Sequence, residues 1–301
     1  RSSVFTATIF VIFAVGCVYS VYITVYKPYM AGRTLIYALQ ESQLASRTPD
    51  LEKSKKTLEL FEKALSYNTF ANVEIRERLS EVAPVMIAPK NDDLLRKYSE
   101  LVATEFVKAF KETPHDPRPR IFLALYLQKF GLYEQSLPHI EKAIELSPTK
   151  QSFIFQKGIV QLSLGRYPDA VATFKQAYDL EPANGEAAVL YALSHIYNGT
   201  NKEADKILGD NLEYLTDQRI LGVYLEKGMY QKIEQIAEMQ IKANPNNPQT
   251  YLSLAGLYLK MNRRNEAIQQ IQKAIVLQPA FKEQGEFYIK EIREGRDPSK
   301  Q

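Results

Sequence analysis

The chain has 301 residues, 45% of them hydrophobic and 24% charged, with 38 Lys and Arg against 35 Asp and Glu. Both signs are interspersed, which denies the concentrated positive face that a phosphate backbone needs, so no nucleic-acid partner is expected. One cysteine, Cys17, and three scattered histidines, His115, His139 and His195, offer no internal disulfide and no metal cluster; no metal and no cofactor are expected.

The first element is apolar on every side. From Val4 to Tyr26 there are 23 residues without a charge, and about 20 suffice to cross a bilayer as a helix. Arg1 precedes the segment and Lys27 follows it, while Tyr19, Tyr22, Tyr26 and Tyr29 crowd the second boundary, where amphipathic rings favour the headgroup level. A signal peptide would have a shorter apolar region and a small-residue cleavage site. A buried core helix would need only one or two apolar faces. Residues 1–26 are therefore expected to be a transmembrane helix in the lipid bilayer. Because the chain starts at Arg1 rather than Met, the expectation is that this helix is the last of a larger membrane protein.

A divergent helical region, 27–116, is expected next. Residues 33–45 carry Leu35, Ile36, Ala38, Leu39 and Leu44; Arg47-Thr-Pro-Asp breaks that helix, and Asp50 can cap another that runs to Leu65. Further helices are predicted over 72–83 and 91–112, before a proline-rich hinge "TPHDPRPR" at 113–120. Phe61, Ala64 and Leu65 copy the second-helix pattern of the repeats that follow, with Asn68 where a closing proline would stand.

The repeats are marked by prolines. Pro148 and Pro182 stand 34 residues apart, as do Pro245 and Pro279, and each ends an amphipathic segment that proline cannot continue. In the clearest copy, 151–184, Gly158 allows close approach on helix A, Leu164, Gly165 and Tyr167 make the turn, and Ala170, Phe174 and Ala177 interlock small and large residues on helix B. The 117–150 copy repeats the steps with Leu123, Ala124, Gly131, Tyr133, Ile140 and Ala143, and the 248–281 copy with Tyr251, Leu254, Ala255, Tyr258, Ala267, Ile271 and Ala274. The 214–247 copy is weaker. A short unit, 185–213, precedes it and is expected to end near Gly209. His195 falls where a core Tyr usually stands, so a packed histidine is favoured over a ligand, and Asn198-Gly-Thr reads as a turn.

This pattern resembles the tetratricopeptide repeat, a 34-residue pair of antiparallel helices. The resemblance implies an α-α superhelical solenoid, with repeats over 117–282 and a capping helix with tail over 283–301, so that with the N-terminal transmembrane helix the whole chain is expected to be all-α. Trp is absent; the family's aromatic near the start of helix A is replaced by Arg120, Ile154, Ala188, Asp217 and Tyr251. A narrower resemblance lies in "KPYMAGRTLIYALQ" (27–40), "LFEKALSYNTF" (60–70) and "EIRERLSE" (74–81) after a membrane helix. That succession is similar to the C-terminal extension of bacterial O-antigen ligase-like membrane proteins. It implies a cell-envelope location at the cytoplasmic membrane and a glycan-transfer activity carried upstream of Arg1, with no catalytic residue to carry over.

Catalytic constellations are missing from the sequence: it holds no nucleophile elbow, no phosphate-cradling glycine loop and no His-Glu pair at zinc spacing. Carboxylates such as Glu141 and Glu145 recur at helical spacing beside Lys and read as a solvated face. The expectation is a non-enzymatic scaffold whose partner is a protein or helical peptide. The tetratricopeptide resemblance places its groove at the second, fifth, ninth and twelfth positions of helix A. These are Arg118, Ile121, Leu125 and Gln128; Ser152, Phe155, Ile159 and Leu162; and Glu186, Val189, Leu193 and Ile196. Family members that clamp a C-terminal carboxylate use Lys and Asn at such positions; Ile121, Leu125, Phe155 and Ile159 point to an apolar or amphipathic helix instead. The rival readings are a groove filled by the chain itself, for instance by the helix 283–294 or the capping region, a regulatory or structural tail with no independent partner, and a small anchored repeat protein in an assembly complex.

Overall fold

The computed structural model describes residues 2–47, 50–87 and 91–296, and among these it is helical with no strand. The chain divides into two compact units, 1–164 and 165–301, and the division falls at the Gly165 turn inside the 151–184 repeat.

In the first unit, α1 (Ser2–Val21), a π-helical turn (Tyr22–Tyr26) and α2 (Lys27–Arg47) are continuous. The apolar segment thus runs without a break into the helix expected at 33–45, which is the distal part of a longer one. The π turn has a local cause: Pro28 has no N–H to donate to the Thr24 carbonyl and its ring crowds that oxygen, so the preceding turn widens. Every described side chain from Thr8 to Tyr26 is exposed. Residues 8–47 form the one helix, among the described residues, long and apolar enough to cross a membrane by length and composition.

α3 (Leu51–Ser66), α4 (Asn72–Met86) and α5 (Asp92–Glu112) follow. Asp50 caps α3 by accepting from the amides of Glu52 and Lys53, and Asn91 caps α5 through the Leu94 amide. Asn68 ends the α3 region in the left-handed conformation, φ 49°. Leu35, Ala38, Leu58, Phe61, Ile75, Leu79, Tyr98 and Phe106 form one buried cluster with Tyr126 of the next helix. Among these side chains, Tyr98 donates to the Ser54 carbonyl at 2.8 Å, and burial raises its pKa. The expected hinge is shorter than eight residues, because α6 (Arg118–Lys129) already begins at Arg118 with Pro119 in its first turn, where proline's missing N–H costs nothing. α7 (Tyr133–Leu146) pairs with α6, and α8 (Gln151–Ser163) packs on α7.

The second unit comprises α9 (Tyr167–Leu180), α10 (Gly185–Tyr197), α11 (Asn201–Leu208), α12 (Leu212–Leu215), α13 (Gln218–Glu226), α14 (Tyr230–Ala243), α15 (Pro248–Lys260) and α16 (Arg264–Leu277). A 3-10 turn (Pro279–Phe281) leads into α17 (Lys282–Arg293). The short α12 is an addition to the expected order. Its place follows from α11, which stops after eight residues at Gly209, φ 52°, and so leaves the remainder of a second helix to be rebuilt.

Backbone geometry shows the period directly. Gly131, Gly165, Gly199, Gly228 and Asn262 have φ of 70°, 70°, 78°, 66° and 57°, at successive separations of 34, 34, 29 and 34 residues. Each follows a helix A, and at four of them the next amide reaches back five residues: Leu132 to Leu127, Thr200 to His195, Met229 to Tyr224 and Arg263 to Tyr258. That bond satisfies a carbonyl the helix end would otherwise orphan. The 29-residue step is the short unit.

Ala170, Phe174 and Ala177 on α9 have no exposed surface, as the small-large interlock requires. Glutamate at position 170 would be both too large and unpaired, a destabilisation of about 3 kcal/mol or more. Ala170→Glu is therefore expected to lower the thermal midpoint by several degrees with the helical circular-dichroism signal as the reporter. Melting like the parent would contradict this packing.

Candidate functional site

The twelve groove positions differ in what they offer. On α6, Arg118 is exposed and held by Asp116 at 2.7 Å, whereas Ile121 is buried and Leu125 half-buried in a cluster with Ala124, Ile140, Ala143 and Val160. Gln128 is half-buried. On α8, Ser152 is exposed, and Phe155, Ile159 and Leu162 are half-buried. On α10, Val189, Leu193 and Ile196 are buried, and exposed Glu186 is engaged by the Arg219 guanidinium through two bonds of 2.6 and 2.7 Å. Asp217 shares the same guanidinium. Ile121, Val189, Leu193 and Ile196 are therefore interior side chains and not an open apolar lining.

The same register in the last repeat gives a different result. The second, fifth, ninth and twelfth positions of 248–281 are Gln249, Leu252, Gly256 and Leu259, and all four line one cleft of about 480 Å³. Its opposite wall is Phe281, Gln284 and Tyr288, from the 3-10 turn and α17, and Ala255, Ile271 and Gln278 complete it. The final helix shapes this space because it sits close to α16. Gly285 is buried there, and a Cβ on it would stand 2.7 Å from Ile275. Ile289 and Ile292 join the α15–α16 core, and Phe287 stays exposed. Gly256 faces open space, with no atom within 4 Å of a Cβ.

No Lys, Arg, Asp or Glu lines the cleft. Its polar groups are three glutamine amides and the Tyr288 hydroxyl, which accepts from Gln284 Nε2 at 2.6 Å. A volume of this size with apolar walls and a few orienting polar groups is the usual form of a binding pocket. A neutral lining favours an uncharged apolar group, since a charge brought there would lose water without finding a partner. A larger cleft of about 650 Å³ lies between α16 and α17, but Glu286, Lys290, Arg293 and Glu294 line it and no helix A contributes to it.

Two polar clusters escaped the sequence reading. Arg76 is buried on α4 and binds Glu105 at 3.0 Å and Glu112 at 2.5 Å, both on α5. Pairing with Arg76 holds the Glu112 carboxyl below its ordinary pKa. Glu105 stands in the apolar stripe of Val102, Phe106 and Ala109, which was the available signal. Arg120, at the position of the missing aromatic, lies 3.6 Å from the centre of the Phe110 ring, and His139 stacks on that ring at 5.8 Å.

Residues 152–184 and 248–281 match the family described as tetratricopeptide repeat. These two segments carry tetratricopeptide repeats. The chain is 27% identical over 154 residues to Hsp70-Hsp90 organizing protein 2 of Arabidopsis thaliana, covering 50% of this chain and 25% of that protein. Against the Hsp70-Hsp90 organizing protein of Triticum aestivum the identity is 23% over 229 residues, covering 76% and 38%. The chain thus spans a quarter to just over a third of these relatives' length. A tetratricopeptide repeat protein of Parabacteroides merdae is a structural neighbour at 13% identity and TM-score 0.47, covering 87% of this chain and 99% of that one.

His195 is packed, as its repeat position implied. Its Nδ1 meets Thr200 Oγ1 at 2.7 Å, the ring lies 4.7 Å from that of Tyr191, and Nε2 is buried without a partner. Burial holds its pKa below the ordinary histidine value, and burial followed by the charge of Arg120 does the same to His139. The folded chain therefore prefers neutral rings, while the unfolded chain takes up protons near pH 6.5. Stability is full above that pH and declines as the pH falls through it, because the unfolded state binds more protons. Urea midpoints are expected to fall between pH 7 and 5, and His195→Phe to flatten that decline. An identical pH profile in the variant would remove His195 from the account.

Proposed function

We propose that this chain is a membrane-tethered tetratricopeptide scaffold that holds a partner protein by an uncharged apolar side chain seated between α15 and α17. The carrying observation is that all four groove-register residues of the last repeat, Gln249, Leu252, Gly256 and Leu259, line the same neutral cleft. The tetratricopeptide match over 248–281 covers α15, α16 and the turn that carries Phe281, and stops short of α17. Relatives named for organising Hsp70 and Hsp90 support a protein partner over a small molecule. The glutamine amides can pair with the backbone of an extended or helical peptide while its side chain enters the cleft.

Tethering is supported by the exposed, uncharged helix ahead of Lys27, an apolar surface that water does not tolerate at this size. The proposed site of action is the bacterial cytoplasmic membrane. There the chain acts as the non-catalytic C-terminal part of an O-antigen ligase-like cell-envelope protein, a reading supported by the strings at 27–40, 60–70 and 74–81. A supporting tail without a partner is the second reading, favoured by the burial of Ile121, Val189, Leu193 and Ile196.

Gly256→Leu separates the two readings. Leucine fills open space in the cleft and replaces a poor helix former in the middle of α15, a gain of up to about 1 kcal/mol. The full chain is expected to bind uncharged peptides with a central Leu or Phe in fluorescence anisotropy, and Gly256→Leu to weaken them at least about tenfold, the equivalent of about 1.4 kcal/mol, with an unchanged or higher melting temperature. No binding by either would favour the supporting tail, and equal binding by parent and variant would place the contact outside this cleft. Carbonate extraction tests the tether: the chain should stay with the membrane pellet, and release into the supernatant would contradict it.

A further inference from the structure

We propose that the α3–α4 turn, with Phe70 at its tip, is a second point of attachment to the bilayer surface, beside the place where the anchoring helix leaves it. The inference rests on the tether proposed above and adds a lipid contact made by the helical region that follows it.

The geometry comes from the antiparallel pairing of α2 and α3. Lys56 Nζ on α3 binds Glu41 Oε1 on α2 at 2.5 Å, and Ala31, Leu35 and Ala38 share a buried cluster with Leu58, Phe61, Ala64 and Leu65. With residue 56 opposite 41, each step forward on α3 is a step back on α2. Ser66, the last residue of α3, then lies level with Ala31, four residues or about 6 Å along α2 from Lys27. Lys27 is the first charge after the apolar segment, whose 23 residues from Val4 span about 34 Å at 1.5 Å each, enough to cross a hydrocarbon core of about 30 Å. The end of α3 therefore returns to within roughly one helical turn, about 5.4 Å, of the level of Lys27, where the apolar segment ends.

The turn is built to hold its aromatic ring outward. Asn72 is buried and donates from Nδ2 to the Leu65 carbonyl, its Oδ1 accepts from the Thr69 amide, and Thr69 Oγ1 accepts from the Ala71 amide. Tyr67 and Ala71 pack on the core below. Phe70 between them is 79% exposed, a large ring with no protein surface to cover it. Tyr22, Tyr26 and Tyr29 are exposed at the matching level of the anchoring helix. Aromatic side chains collect at this depth, where an apolar ring leaves water without entering the acyl core. Two contacts at one level would fix the tilt of the helical region on the membrane, which a single helix leaves free.

The chain contains no tryptophan, so Phe70→Trp introduces a single indole, excited apart from the tyrosines, at an exposed position that leaves the fold intact. The control is Leu44→Trp, on an exposed residue of α2 that lies about 26 Å beyond Lys27 along the helix at 1.5 Å per residue. Both full-length variants are reconstituted in phosphatidylcholine–phosphatidylglycerol vesicles carrying bromine at shallow or deep acyl positions. Phe70→Trp should emit to the blue of the control and lose most of its intensity to shallow bromines, with little quenching by aqueous iodide. An emission and iodide sensitivity matching Leu44→Trp, in a chain that resists carbonate extraction, would overturn the lipid contact and leave the tether standing. Extraction of the chain by carbonate would overturn both.

Discussion

A pair of antiparallel helices covers one of its apolar faces and leaves the other open, and the packing of the helices after residue 27 follows from how that open face is closed. Within a pair, closure depends on residues small enough to let the helices approach. Ala124, Ala143, Ala170, Ala177, Ala267 and Ala274 have no exposed surface, and large partners such as Ile140, Phe174 and Ile271 sit beside them. Between helix A and helix B the chain must reverse without a bulky side chain, and a left-handed residue does this at each turn. Where the sequence supplies Asn262 in place of glycine, its φ of 57° lies in the region that asparagine tolerates better than most residues.

Closure at the two ends uses different material. In the first unit, α4 and α5 cover α6, and the buried Arg76–Glu105 pair locks α4 to α5. Such a pair gains little over an apolar contact, but leaving one partner alone would cost several kcal/mol, so it selects one arrangement of these helices. In the second unit, α17 covers α16 through Gly285, Ile289 and Ile292. It leaves the register of α15 uncovered, and that incomplete closure is the neutral cleft.

The period was legible because both of its markers are local. Proline stops a helix, and the turn requires glycine or asparagine, so Pro148, Pro182, Pro245 and Pro279 and the turn residues announce themselves. The short unit was legible through Gly209. Continuity of α1 into α2 was not, because the membrane helix is bounded in the sequence by the first charge, Lys27, and charge does not end a helix. The candidate groove could be written from the sequence as a register but not as a place: Ile121, Val189, Leu193 and Ile196 are apolar whether they line a cleft or fill a core, and only tertiary packing decides. In the last repeat the decisive residue is Gly256, whose missing side chain makes the space, and a lone glycine in a helix carries no such message by itself. Pairs separated by 29 and 36 residues, as Arg76 is from Glu105 and Glu112, leave only the trace of a carboxylate in an apolar stripe.

The central claim is that an uncharged apolar group enters the space between Leu252, Leu259 and Phe281. Methyl-resolved NMR of the chain titrated with N-acetyl-leucinamide, and in parallel with N-acetyl-glutamate amide, reads this directly. The account predicts saturable shifts of the Leu252 and Leu259 methyl resonances with the leucine probe, none at Ile140, and no response to the glutamate probe. Shifts spread evenly over the leucines, or equal responses to the two probes, would contradict it.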